Sequence, residues 1–593
     1  MTDDLGSRFE ELLVDLKGNG RYQWITFFLV LLPTFFACSF ISSGWLFVIA
    51  TPDDFFCHIP LNQSNGTSVA FTSEEKKRLL PPGNDGELHS KCELYSVDYS
   101  ALLQNFGSIR EMEAYFNATN ASSTPRTACS SWEFDKTVYQ DTITTDWDLV
   151  CTARDFLPTL AYIIGSIGVM IGTPLGGYAA DRFGRKPTYF AFLALQVVFG
   201  AATVAAPRAH YGYYVFLTLY TIHSVSVNPI YLVPSTLGLE IITPDCRATF
   251  LVLLTLAYTA GAVAFTGIAY ALRSWRPMVL ATILPFTLYG MFWFVLPESP
   301  RWLLLKGRSK EFNVYLRKMA KINRVEWSES LEGKASQLCI DARGVSHISL
   351  SNLNESSDVA TYSYLDLFRG PRIRRHTILM LIMSIVVQVC YYGLGYYAPT
   401  LGPNPYLSFF LSSLVEIPGA LLIQLVCDRI GRRLTILLCF IAGGTACLST
   451  LAVPPSSASF GSVLGLFLVA KLFITAAYAV QELLVNELLP TVVRGKGVAL
   501  TNFVSSLFAN IGPIIVYSGR ADSESLTLVI FGGLMIFASI CALFIPETLD
   551  RPLPETLAEC ETMDLHGSWK DTFAFCRPTV KSNHDQPTMS TSF

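Results

Sequence analysis

Twelve apolar runs, each near the length of a bilayer-crossing helix, dominate this chain. They fall at roughly 22–48, 156–179, 188–206, 213–238, 249–271, 276–296, 376–400, 405–427, 434–453, 459–486, 496–518 and 525–545. A hydrocarbon core takes about 20 helical residues to cross. Inside it the backbone finds no water, so only elements that satisfy their own N–H and C=O groups can span. The pattern therefore points to an all-α membrane protein with twelve transmembrane helices. Composition agrees, because a chain of 593 residues that is 51% hydrophobic lacks the polar surface a soluble protein of that size needs. A net charge of −4 gives no reason to expect nucleic acid as a partner. The first run follows Asp3, Asp4, Glu10 and Glu11, and no small-residue cleavage site closes it, so it reads as a retained span and not a signal peptide.

Three hydrophilic stretches interrupt the apolar pattern: 51–155, 297–375 and 546–593. The organisation expected is an N-terminal segment 1–21, a six-helix bundle 22–296 that includes 51–155, a central loop 297–375 with short helices, a second bundle 376–545 and a tail 546–593. The central loop is basic, with Arg301, Lys306, Arg308, Lys310, Arg317, Lys318, Lys321 and Arg324 near one end and Arg369, Arg372, Arg374 and Arg375 at the other. Lys and Arg flanking spans are retained in the cytoplasm. Both termini are then cytoplasmic and 51–155 is extracellular. That loop carries Cys57, Cys92, Cys129 and Cys151, and N-x-S/T acceptors at Asn62, Asn65, Asn117 and Asn120. Four cysteines in an oxidising compartment suggest two disulfides, with three pairings open.

Charge inside this apolar chain is concentrated and repeated. GGYAADRFGRKP at 176–187 is answered by CDRIGRR at 427–433, and Asp428 lies 247 residues after Asp181. Glu240 and Arg247 form an E-x6-R pair, and Glu487 and Arg494 repeat it 247 residues on. PESPR at 297–301 returns as PETLDR at 546–551, offset by 249. Three landmarks at nearly one offset mark two six-span halves of the same topology, whose interface is expected to hold a substrate site. All lie at cytoplasmic ends of spans. Asp181, Arg182, Arg185, Glu240 and Arg247, with Asp428, Arg429, Arg432, Glu487 and Arg494, are read as a gate whose ion pairs hold one conformation closed. Topology needs basic residues there but not a matched Asp and Glu.

GGYAADRFGRKP, CDRIGRR, PESPRWLL, NELLPTVVRG and PETLDRPLPET resemble the major facilitator superfamily. The cysteine-bearing first loop, TTDWDLVC at 144–151 and LVEIPGA at 414–420 narrow the resemblance to the organic cation, anion and carnitine transporters, from about Leu12 to Glu559. It implies two pseudo-symmetric six-helix bundles, a disulfide-linked extracellular domain and plasma-membrane localisation. The family's span eleven carries an Asp in cation members and an Arg in anion and carnitine members, nine residues after a glycine matched by Gly497. Ser506 stands there instead, so the usual charge that sorts substrates is missing.

Charged residues within spans usually face a cavity. Glu416 lies twelve residues before Asp428, about 18 Å along a helix and so near mid-membrane. Span ten holds Lys471, Gln481 and Glu482, and Lys471 is expected to balance a carboxylate. Aromatic candidates for an ammonium group are Tyr391 and Tyr392 in span seven, with Phe35, Phe36, Tyr162, Tyr231 and Tyr258 in the first half. Tyr391 matches a substrate-contacting tyrosine of the cation members. No phosphate-binding G-x4-G-K-[ST] loop and no HExxH occur, so neither an enzyme, a cofactor nor a metal is expected. The reading is a transporter of organic cations or amine-bearing zwitterions that works by alternating access. An organic anion or carnitine transporter, and a non-transporting receptor on the same fold, are the rivals. Thr591-Ser592-Phe593 would fit a domain that binds C-terminal carboxylates.

Overall fold

The computed structural model describes residues 2–52, 54–59, 72–83, 89–106, 108–118, 124–151, 154–209, 211–351, 363–454, 460–522, 524–549, 554 and 557–562. Asn62, Asn65, Asn120 and the tail from 563 lie outside these, as do the side chains of Asn117 and Asp428.

Among the described residues, ten helices are long and apolar enough to cross a membrane. In chain order the long helices are α1 (Arg21–Val48), α2 (Leu157–Phe183), α3 (Arg185–Val204), α4 (Gly212–Ile241), α5 (Pro244–Leu272), α6 (Trp275–Phe294), α7 (Pro371–Thr400), α8 (Pro405–Ile430), α9 (Arg432–Ala452), α10 (Phe460–Leu488), α11 (Val492–Gly519) and α12 (Glu524–Ala542). The two that fall short carry the apolar stretches Pro405–Leu421 and Leu526–Ala542. In α8 the stretch ends where Gln424, Asp428 and Arg429 enter the sequence. Helix α4 breaks at Val225 and Ser226, where the Ser226 hydroxyl bonds the His223 carbonyl and the Gln196 side chain, all buried.

The chain divides into two compact units. The first comprises 1–356 with 403–410, and the second 357–402 with 411–593. The central helices Pro300–Leu305, Ser309–Asn323 and Glu329–Ser351 thus belong to the first unit. They are held to the N-terminal helix Thr2–Asp15 and the base of α1. Asn323 donates to the carbonyls of Leu16 and Lys17 and accepts from Tyr22 N at 2.8 Å. Lys334 pairs with Asp15 at 2.6 Å, and Arg8 with Asp341 at 3.1 Å.

The described residues within 51–151 gather around a small core of Phe56, Leu79, Tyr95, Leu103, Met112 and Phe116. Two antiparallel ribbons pair Phe55–Cys57 with Trp132–Phe134 and Glu93–Tyr95 with Arg126–Ala128. Disulfides join Cys57 to Cys129 and Cys92 to Cys151, which selects one of the three pairings the sequence left open. Asp146, in the TTDWDLVC stretch, accepts from Trp275 Nε1 at 3.0 Å and pairs with Arg276 at 3.0 Å and Arg208 at 3.4 Å. One carboxylate therefore ties this segment to the α3–α4 loop and to the start of α6.

Candidate functional site

In the second unit, three candidates converge on one another. Lys471 of α10 lies 2.9 Å from Glu416 of α8, and the pair is nearly buried, with side chains 3% and 14% exposed. Tyr391 of α7 donates its hydroxyl to Glu416 at 3.1 Å. The Lys471 ammonium also stands 3.9 Å over the Tyr391 ring and 3.5 Å from its carbonyl oxygen. Local sequence explains the approach of α8 to α10. Gly419, in the LVEIPGA stretch, packs so closely that a Cβ there would sit 3.1 Å from Leu472 O. Tyr391 is flanked by Tyr392 at 5.3 Å and Tyr478 at 5.0 Å between ring centroids. Tyr478 was missed by sequence reasoning, although it lies two turns beyond Lys471 on one face of α10.

Glu482, one turn further on, lines an adjoining cleft of about 150 Å³ between α7, α10 and α11, which Tyr478 also lines. Gln481 lines it too, donating to Ser384 Oγ at 2.9 Å. Asn502 and Ser505 contribute from α11, whereas Ser506 is exposed and is not among the lining residues. In the first unit Phe35 meets Tyr231 at 4.6 Å, and Tyr231 meets Tyr258 at 6.1 Å. Phe35 is buried in a hydrophobic cluster with Phe27, Leu31 and Phe250, while Phe36 packs on Phe40 at 5.2 Å. Tyr162 is half-buried on α2, and its carbonyl accepts from the Ser166 hydroxyl at 3.0 Å.

The charged corners repeat in both units. Between α2 and α3, Gly184 turns the chain at φ +109°, and between α8 and α9, Gly431 does so at φ +92°, a conformation that side chains disfavour. Arg185 pairs with Glu240 at 3.1 Å, both side chains little exposed, and reaches the largely exposed Asp181 at 3.2 Å. Arg432 pairs with Glu487 at 3.5 Å, and Thr548 donates to that same carboxylate at 2.5 Å. The other expected gate residues go elsewhere. Arg182 donates to Tyr178 at 2.6 Å, Arg247 to Glu10 at 2.9 Å and Arg494 to the Leu489 carbonyl at 3.1 Å, while Arg429 is exposed.

Each corner has a further carboxylate that the repeat displayed but whose role it did not reveal. Glu298 accepts from Arg185 N at 2.8 Å and Lys186 N at 3.3 Å. Glu547 accepts from Arg432 N at 2.8 Å and Arg433 N at 3.1 Å. These are the orphan N–H groups at the starts of α3 and α9, where negative charge is favoured. Burial pushes the Glu298 carboxyl above its usual range, opposed by the backbone N–H bonds of Ser299, Arg185 and Lys186.

Charges this deep in apolar helices persist only where they face one another or a cargo. A paired acid and base inside helices otherwise made for lipid, carried on a twice-repeated unit, fits a membrane transporter. The chain belongs to the sugar (and other) transporter family of the major facilitator superfamily, whose model matches residues 106–558. It is 32% identical to the beta-alanine transporter of Drosophila melanogaster, over 94% of this chain and 90% of that protein. It is also 32% identical to the carcinine transporter of the same organism, over 95% and 80%. An inward-open structure of the xylose transporter XylE from E. coli shares the fold, with a TM-score of 0.55 at 18% identity, over 70% of this chain and 91% of that one.

Proposed function

We propose that this protein carries amine-bearing zwitterions and small organic cations across the plasma membrane by alternating access, through twelve spans with both termini in the cytoplasm. The observation that carries the substrate assignment is the Glu416–Lys471 pair on the face of Tyr391. A substrate ammonium can take the place of the Lys471 ammonium against Glu416 and the ring. A substrate carboxylate can take the place of Glu416 against Lys471. A zwitterion replaces both halves of the pair at once and leaves no buried charge alone, which a simple amine does not do. Beta-alanine, named for one relative, is such a zwitterion, and carcinine, named for another, carries a primary amine.

The Arg185–Glu240 and Arg432–Glu487 pairs serve in this reading as gate contacts that favour one state of the cycle. The contact of the N-terminal helix with the central basic helices supports a reading in which those two segments share one side of the membrane. The Asp146 ion pairs likewise support a reading in which its segment shares one side with the α3–α4 loop and the start of α6. Both relations support an extracellular, glycosylated 51–155 segment and a cytoplasmic central loop. Uptake of labelled beta-alanine, propylamine and propionate into cells expressing the chain tests the assignment. Beta-alanine should enter fastest, propylamine more slowly and propionate not at all. Uptake of propionate alone would support the anion-carrier reading instead.

A further inference from the structure

The central helix Ser309–Asn323 carries charge that the fold does not use. Residues 306–324 hold seven basic side chains against one acidic, Glu311, in a chain whose net charge is −4. Two of the seven find carboxylates: Arg308 pairs with Glu311 at 3.6 Å and Arg317 with Glu332 at 2.6 Å. Lys310, Lys318, Lys321 and Arg324 are exposed and form no ion pair among the described residues. Periodicity gathers them on one side. At 3.6 residues per turn, Lys310, Arg317, Lys318, Lys321 and Arg324 span about 120° of the helix circumference. The opposite side, with Phe312, Tyr315, Leu316 and Met319, is buried. Like charges three and four residues apart repel, so this stripe weakens its own helix unless an anionic surface faces it.

The same helix stands where α1 enters its apolar stretch. Tyr315 meets Tyr22 at 5.7 Å between ring centroids, Met319 Sδ accepts from Gln23 at 2.9 Å, and Asn323 accepts from Tyr22 N at 2.8 Å. The exposed apolar side chains of α1 begin at Ile25, less than a turn beyond Gln23, and continue with Phe28 and Leu29. The stripe therefore lies close to the boundary between lipid and water. Val314, 68% exposed among the cations, suits that boundary better than open water. Cytoplasmic leaflets are rich in anionic lipid, which attracts juxtamembrane clusters of Lys and Arg. From Lys310 to Arg324 the stripe runs about 21 Å along the helix. A line of that length matches several singly charged headgroups side by side better than one compact polyphosphate. We infer that the Lys310–Lys318–Lys321–Arg324 stripe docks on anionic phospholipid headgroups of the cytoplasmic leaflet. The inference rests on the reading that puts the central loop in the cytoplasm, but not on the identity of the substrate.

The test uses the full-length protein with Val314→Cys carrying a fluorophore, in nanodiscs of mixed phosphatidylcholine and phosphatidylserine. Traces of either lipid, spin-labelled near the top of its acyl chain, serve as quencher, and the parent protein treated with the same fluorophore supplies the background. At low salt the phosphatidylserine quencher should act about threefold or more strongly than the phosphatidylcholine one. Raising the salt to about 1 M, where charges are screened within about 3 Å, should abolish the difference. Combining Lys310→Gln, Lys318→Gln and Lys321→Gln should abolish it at low salt too, and the salt comparison decides the matter if that variant does not run as a single species on gel filtration. Equal quenching by the two lipids at low salt overturns the proposal, as do quenching by neither and a preference that the triple variant keeps. A fluorescence change caused in discs of phosphatidylcholine alone by polyglutamate or inositol hexakisphosphate, and lost in the triple variant, would assign the stripe to a soluble anionic partner and also overturn it. Discs expose both membrane faces, so lipid docking can succeed where the cytoplasmic assignment fails, and glycosidase treatment of residues 51–155 tests that assignment separately.

Discussion

Replacing Lys471 with Met separates the two halves of the substrate site. At 2.9 Å the Lys471–Glu416 attraction is about 6 kcal/mol at an effective dielectric of about 20, before desolvation is subtracted. Removing one partner of such a buried pair typically costs about 3–5 kcal/mol, because the other charge is left alone. Thermal stability of Lys471→Met should therefore fall, and the neutral double variant Lys471→Met, Glu416→Gln should recover much of the loss. Transport should divide by substrate. The carboxylate of beta-alanine loses a charge-assisted partner worth about 1.5–3 kcal/mol. At equal surface protein and sub-saturating concentration, its uptake should fall about tenfold to a hundredfold. Propylamine needs only Glu416 and the Tyr391 face, from which the tethered ammonium has now gone, so its uptake should hold or rise. The assay is paired uptake of the two labelled compounds, normalised to biotinylated surface protein. An equal fall for both would show that Lys471 supports the fold without reading the substrate, and the reasoning would be refuted.

The remaining expectations concern other parts of the molecule. Tyr391→Ala should raise the half-saturation concentration for amines by an amount worth about 0.5–2 kcal/mol, and unchanged saturation kinetics would remove Tyr391 from the site. Glu298→Gln and Glu547→Gln each weaken the bonds that hold a helix start, and both should slow transport more than they lower surface expression; full transport at normal expression would leave those carboxylates without a part in the cycle. Non-reducing mass spectrometry should recover Cys57 joined to Cys129 and Cys92 joined to Cys151, and Cys92→Ser should cost about 2–5 kcal/mol of stability. Glycosidase should shift the gel mobility of the wild-type protein and not of a variant lacking Asn62, Asn65, Asn117 and Asn120; an unshifted wild type would count against an extracellular 51–155.

The sequence by itself determined the helical membrane fold, the two-fold repeat and the family. Each is written in spacing along the chain: apolar runs matched to a bilayer, and charged corners recurring at an offset of 247. It also suggested a mid-membrane depth for Glu416, because rise per residue converts position into height. Tertiary structure decided which groups at that height meet. Sequence distance cannot show that Lys471 turns to Glu416 and Tyr391 while Glu482, on the same helix, opens onto an adjoining cleft, since that depends on how α7, α8 and α10 pack. For the same reason Glu298 and Glu547 were visible as landmarks but not as helix caps: they lie 113 and 115 residues from the amides of Arg185 and Arg432 that they hold. The disulfide pairing follows the same logic, for four cysteines allow three pairings along a chain and only folding brings Cys57 to Cys129 and Cys92 to Cys151.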